Sequence, residues 1–237
     1  MNNLSPEFCP AIVVMAKVPR AGEVKTRLRS FLNDEQIVSL ATCFLQDTIS
    51  NCNSITPNAI VAFTPREERE TLESILSENL LLIEQRGNSL GERLESAVEY
   101  AAKQNFNPVI IIGADSPTLP KEFIEAAIES FKSDETDVVL GATRDGGFYL
   151  IGLRKNHFGI FENVAWSSVF VFKQTAQNVE SLGLRLTKLS RWCDVDTPDD
   201  LVFLRNEMLR DKNVLQVAPK TYQWLMSHAE LFASNRV

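Results

Sequence analysis

Histidine, cysteine and long apolar runs are all scarce in this chain. Its two histidines, His157 and His228, lie far apart, and its four cysteines, Cys9, Cys43, Cys52 and Cys193, include no C-x-x-C pair. Zinc-site spacing is therefore absent, and the thiols read as reduced. The first apolar run, Ala11 to Ala16, is far below the roughly 18 residues needed to span a bilayer. The N-terminal stretch M-N-N-L-S-P-E-F-C-P has no basic n-region, so we expect a cytoplasmic protein with no targeting or anchoring segment. Positive charge is also short: 24 Lys and Arg face 31 Asp and Glu, for a net charge of −7. A field of that sign repels DNA, RNA and anionic membranes, which excludes nucleic-acid and membrane partners. Any phosphate the chain binds must meet a local basic patch.

What remains is the balance of an ordinary globular protein, 237 residues with 44% apolar and 23% charged. Ala11 to Met15, Ala59 to Phe63, Leu80 to Ile83, Val109 to Gly113 and Val138 to Leu140 are short apolar runs that predict buried strands. Between them, Ile37 to Leu45, Leu90 to Ala101 and Phe123 to Phe131 carry apolar residues at helical spacing. Alternation of this kind predicts an α/β fold, a mostly parallel sheet with helices on both faces. Further on, Gly147 to Leu153 and Arg185 to Leu189 read as strands, and Ser168 to Leu182 and Pro198 to Met208 as helices. Thr197 supplies the N-cap of the last of these and Pro198 its first turn. No linker or repeat divides the chain. We expect one domain over residues 1–237, with a core at 11–211 and a helical extension at 212–237.

Five segments could carry chemistry. Between Lys17 and Arg29 stand five cations, Lys17, Arg20, Lys25, Arg27 and Arg29, against one anion, Glu23. A loop of this charge directly after a strand, with Pro19 and Gly22 to shape it, can bring backbone N–H groups and cations against a polyphosphate. Val24 stands where a Walker A loop needs glycine, and no G-x-G-x-x-G occurs, so P-loop and dinucleotide readings fail. The alternative is a solvated basic loop. In I-I-I-G-A-D-S-P, Asp115 lies just past a central strand, where a carboxylate points into the crevice and suits Mg²⁺ bound with substrate phosphates. Otherwise it caps a turn. In W-C-D-V-D-T-P-D-D-L, Asp194 and Asp196 flank Val195, and residues i and i+2 of an extended segment face one side about 6.5 Å apart. They can converge on one cation, unless Asp196 only serves the following helix. In Q-R-G-N-S-L-G-E-R-L, Gly87 and Gly91 permit close backbone approach, and Arg86 and Arg93 are available for anions. In G-A-T-R-D-G-G-F-Y-L-I-G-L, Asp145, Gly146 and Gly147 are either part of an acceptor pocket or a plain turn. Trp166 reads as a packing anchor, with Ser167 and Ser168 as caps before a helix.

Together and in this order, these motifs resemble the bacterial glycosyltransferase-A-like family associated with radical-SAM and selenium-related genes, within the nucleotide-diphospho-sugar transferase superfamily. The chain is also similar to the guanylyltransferases of molybdenum-cofactor and phospholactate metabolism in its basic first loop, the Asp115 strand end and the late aspartates. The resemblance implies a single α/β domain with a mixed sheet, and Mg²⁺ or Mn²⁺ held by Asp115 with Asp194 or Asp196. It also implies phosphate binding by Lys25 and Arg27. Ala142 follows Gly141 where proline is the expected residue. The leading expectation is a metal-dependent transferase that moves a glycosyl group from a nucleotide-activated donor to a small-molecule acceptor. Lys25, Asp115 and Asp145 are then catalytic, Asp145 as base. Lys17, Gly22, Lys25, Arg27, Gly87 and Arg93 would bind nucleotide phosphates, and Asp145, Gly146 and Gly147 the acceptor. The alternatives are nucleotidyl transfer from a nucleoside triphosphate to a phosphorylated acceptor with release of pyrophosphate, and nucleotide binding without turnover.

Overall fold

Runs such as A-I-V-V-M and V-I-I-I are apolar at every position because both faces of the strands they form are covered. In the computed structural model, which describes residues 8–76, 80–154, 157 and 159–232, these runs build one seven-stranded sheet. The first seven and last five residues, on which the reading of the N-terminal stretch and the end of the extension fall, lie outside the described residues. The elements are β1 (Ala11–Lys17), α1 (Asp34–Ile55), β2 (Ala59–Thr64), α2 (Arg69–Ile75), β3 (Leu81–Glu84), α3 (Leu90–Lys103), β4 (Val109–Gly113) and α4 (Lys121–Ser130). They continue with β5 (Val138–Thr143), β6 (Phe148–Leu153), α5 (Val171–Ser181), β7 (Leu186–Trp192), α6 (Pro198–Arg210), α7 (Lys212–Val217) and α8 (Pro219–Ser227). Strand order is β3-β2-β1-β4-β6-β5-β7, with β6 antiparallel to both neighbours and every other pair parallel.

This order has a direct consequence. β1 turns outward to β2 and β3, while β4 lies on its other side, so the chain reverses direction between β1 and β4. Ligands of open α/β sheets sit beyond the carboxyl ends at such a switch point. Because β6 alone runs the other way, the carboxyl ends of β1, β3, β4, β5 and β7 share one rim. Four of the five segments singled out above directly follow one of these strands, and the fifth, Gly141 to Leu153, contains the turn after β5.

The helices cover both faces, as the spacing predicts. On one, Leu45 and Ile49 of α1, Leu72 of α2 and Ile124 and Ala127 of α4 pack on Ile12, Val61 and Ile110. On the other, Leu94, Ala97 and Val98 of α3 with Ala176 and Val179 of α5 pack on Val13, Ile111 and Ile151. Two expectations need correction. β3 is an edge strand with Leu81 exposed, because nothing flanks it on its outer side. α5 begins at Val171, after Ser168, whose hydroxyl is spent on the preceding turn. α2 and α7, seven and six residues long, carry too little apolar spacing to be read from the sequence. Thr197 does cap α6: its side chain accepts from Asp200 N–H while the Asp200 carboxylate accepts from Thr197 N–H.

The segment expected as an extension packs inward. Trp224, Leu225 and Phe232 join Leu40 and Phe44 of α1, Leu204 of α6 and Leu28 of the basic loop in a third apolar cluster. Buried Asp47 of α1 accepts hydrogen bonds from the N–H groups of Lys220 and Thr221 at 3.1 and 2.8 Å, which anchors the start of α8. Burial lifts its carboxyl above the ordinary aspartate range, against the pull of those donors. Among the described residues no helix is long and apolar enough to cross a membrane.

Asp47→Ala leaves the buried Thr221 N–H and the half-buried Lys220 N–H without an acceptor and should cost about 1–3 kcal/mol in a denaturant melt, with faster amide exchange in α8. At the β5 and β7 starts, the Arg185 guanidinium grips Asp137 through two hydrogen bonds of 2.8 Å and holds its carboxyl below the usual aspartate range, at about 2. The folded pKa lies below the unfolded one, so this contribution is complete above the unfolded value and fades as pH falls toward 2. The stability gap between the native chain and Asp137→Asn should therefore be largest near neutral pH and close in acid. A gap that stays constant with pH would show that the pair contributes nothing.

Candidate active site

At the switch point the basic loop doubles back under the carboxyl end of β4. Val24 and Leu28 are buried in the third cluster and fix the backbone on either side of Lys25. Lys25 itself adopts a left-handed conformation, φ 44 and ψ 40, costly for a residue with a side chain. Its side chain is only 6% exposed. The Nζ lies 2.6 Å from Asp115 Oδ1 and 2.8 Å from Asp196 Oδ1. The same ammonium sits 6.0 Å from the centre of the Phe44 ring. Burial pulls the Lys25 pKa down, but the two carboxylates outweigh it and lift the group above the ordinary lysine value.

Asp115 and Asp196, distant in sequence, are brought together by main-chain ties between the end of β4 and the segment after β7. Val195 N–H donates to Asp115 C=O at 3.0 Å, and Ser116 Oγ donates to Cys193 C=O at 3.0 Å. Val195, buried between the two late aspartates, plugs the third cluster. Asp196 is free to meet Lys25 because Asp200, not Asp196, completes the capping box of α6. Asp194 has a different setting: burial first, then the nearby Asp196 and Asp145 carboxylates, push it up to about 6. Among the described residues, no three His, Cys, Asp or Glu side chains are gathered to hold a metal ion.

Three concavities adjoin this centre. A central cleft of about 260 Å³ is lined by Lys17, Lys25, Arg27, Asp115 and Asp196. It shares Met15, Lys17 and Asp115 with a slot of about 350 Å³ walled by Leu90, Leu94 and Phe148, with Gln85 and Arg93 as polar members. On the other side it shares Arg27 and Asp196 with a cleft of about 480 Å³ that contains Arg144, Asp145, Asp194 and Phe203. The centre thus lies between an apolar slot and a mainly acidic cleft.

The remaining expected residues divide between these clefts and the loops that frame them. Lys17 faces the central cleft and lies 3.7 Å from Glu23. Gly22 has φ +80 and lets Arg29 pass close, since a Cβ there would lie 2.9 Å from its guanidinium. Gly87, with φ +129, turns the chain so that its carbonyl accepts from Arg93 Nε at 3.1 Å. Asp145 Oδ1 accepts from Thr143 Oγ1 and from Gly147 N–H at 3.1 Å, so one oxygen of the expected base is spent on its own turn. A Cβ on Gly146 would lie 2.2 Å from the Val169 carbonyl oxygen, so the turn packs against the loop before α5. Trp166 is the packing anchor expected, meeting Phe148 and Phe161. Sequence reasoning passed over Gln85, Arg144 and Phe203. Gln85 directly follows β3, and the shared-rim rule would have found it; its Nε2 donates to the carbonyls of Ala16 and Ala62 at 3.1 and 2.8 Å. Arg144 lies 5.5 Å from the centre of the Phe203 ring, a pairing that no spacing announces.

Comparison with known proteins finds transferases among the relatives of this chain. The chain is 26% identical over 211 residues to the 2-phospho-L-lactate guanylyltransferase of Methanocaldococcus vulcanius, covering 86% of this chain and 90% of that protein. It is 29% identical over 131 residues to the enzyme of the same name from Methanobrevibacter smithii, 55% of this chain and 56% of that one. A Desulfovibrio desulfuricans protein assigned to the nucleotide-diphospho-sugar transferases superposes with a TM-score of 0.87 at 27% identity, over 95% of this chain and 97% of the other. The family model described as "Uncharacterized protein conserved in bacteria (DUF2064)" matches residues 48–168, more than half of the sequence and including Asp115, and the chain belongs to that family.

Proposed function

We propose that the chain is a nucleotidyltransferase that joins a nucleoside triphosphate to an acidic, phosphorylated small molecule and releases pyrophosphate. The observation that carries this reading is the Lys25 centre, flanked by cations and set between an apolar slot and a mainly acidic cleft whose two lining cations, Arg27 and Arg144, are where an anionic acceptor would bind. Similarity to guanylyltransferases over most of both chains favours it over glycosyl transfer. In this reading the apolar slot receives the nucleoside, and Lys17, Lys25 and Arg27 meet the triphosphate. A phosphate oxygen of the acceptor attacks the α-phosphorus from the side of Arg144, and the bond to the β-phosphate breaks. Negative charge then grows on the departing pyrophosphate, where preorganised cations lower the barrier. An ionised phosphate needs no proton removed before it attacks. Asp145 therefore serves as a turn-former at the acceptor cleft.

A divalent ion fits the donor set. Mg²⁺ is commonly held by one or two carboxylates plus substrate phosphates, and Asp115 and Asp196 aim one oxygen each at the point where the Lys25 ammonium lies. These two side chains would hold Mg²⁺ or Mn²⁺, which would supply charge neutralisation at the phosphates, with Asp194 beside them toward the acceptor cleft.

A panel of the four nucleoside triphosphates with Mg²⁺ and 2-phospholactate or related phosphorylated acids should release pyrophosphate, with both substrates required. Release of a nucleoside diphosphate from a nucleotide sugar would restore the glycosyl reading, and binding without turnover would make the chain a nucleotide-binding protein. Asp115→Asn should lower kcat by about a hundredfold. Lys25, only 6% exposed, loses one carboxylate partner in that variant but keeps Asp196, so the stability cost should be about 1–3 kcal/mol, too little to unfold the chain. Full activity in that variant would move the chemistry elsewhere.

A further inference from the structure

We infer that Lys25 is a resident cation which keeps the divalent-ion position filled until donor phosphates draw it away, so that metal alone binds weakly and metal with nucleotide binds well. This rests on the proposal that Asp115 and Asp196 are the ion-holding pair. The Nζ is 2.6 and 2.8 Å from one oxygen of each carboxylate, the midpoint of the space a shared metal would take. Mg²⁺ sits about 2.0–2.1 Å from its oxygens, so metal and ammonium cannot share that space, and their like charges would repel at contact distance.

The exchange needs only the side chain to move. Val24 and Leu28, both buried, hold the backbone on either side of Lys25, while its four-carbon stem, only 6% exposed, borders the central cleft and has rotatable bonds that can carry the ammonium toward it. The central cleft that the ammonium would swing into is the one lined by Lys17 and Arg27, where a polyphosphate offers it replacement anionic partners. The outgoing contact and the incoming one are both ammonium-to-oxyanion, so the lysine loses no class of interaction, and the two vacated carboxylates are left for the metal that accompanies the phosphates. With Lys25 in place, two converging carboxylates are held together without an ion from solution.

Manganese titrations of the full chain, followed by electron paramagnetic resonance without nucleotide, separate the possibilities. Lys25→Met should bind Mn²⁺ at least about tenfold more tightly than the native chain, whereas Lys25→Arg, which keeps the positive charge, should not. Adding Asp115→Asn to Lys25→Met should abolish the gain. Equal Mn²⁺ affinity in the native chain and Lys25→Met, or no Mn²⁺ binding by any form, overturns the inference. Should Lys25→Met fail to fold, the ¹⁵N resonance of the Lys25 ammonium in the native chain gives the same decision. It should stay in place with Mg²⁺ alone and shift when Mg²⁺ and a nucleoside triphosphate are added together; a shift with Mg²⁺ alone overturns the inference. Neither metal-alone measurement involves donor or acceptor, so pyrophosphate release combined with unchanged Mn²⁺ affinity would sink this inference and leave the proposed reaction standing.

Discussion

One ammonium group shared by two carboxylates organises the rim at which the parallel strands of this protein end. Lys25 comes from the first loop, Asp115 from the end of the central strand and Asp196 from the segment after the last strand. Removing one partner of a buried ionic group leaves the others uncompensated, so the three constrain one another strongly. The left-handed backbone at Lys25 is tolerated because burial of Val24 and Leu28 and the ionic grip on Nζ leave the loop little alternative.

Topology makes the meeting possible. A sheet that reverses direction between β1 and β4 leaves a crevice over its middle, and the single antiparallel strand β6 returns the chain so that β5 and β7 also end at that crevice. Every loop that follows a parallel strand therefore emerges on the same side. Side chains 171 residues apart in sequence, Lys25 and Asp196, can thus meet at 2.8 Å.

Much of this can be read from residue pattern alone. The apolar runs of β1, β2 and β4, covered on both sides, are unambiguous, and the cation-rich loop after β1 and Asp115 after β4 follow from the rule about carboxyl ends. Other features escape for physical reasons. Leu81 is as apolar as its neighbours, and only its place at the sheet edge exposes it. Asp194 and Asp196 are equivalent by spacing; which of them meets Lys25 depends on how the stretch before Thr197 twists once Val195 is buried. The contact of Arg144 with Phe203 joins a turn to a helix far along the chain and leaves no periodic trace.

The third apolar cluster ties the far end of the chain to the first loop. Phe232 meets Phe31 just beyond the basic loop in a tilted ring contact, and Leu28 beneath Lys25 shares a core with Trp224 and Leu225. During synthesis the strand that precedes this loop is made well before the residues near 232, and the packing behind the loop exists only once those residues have left the ribosome. A nascent chain can thus complete much of its sheet while the platform under its first basic loop is still missing, and the order of that loop would arrive late and all at once.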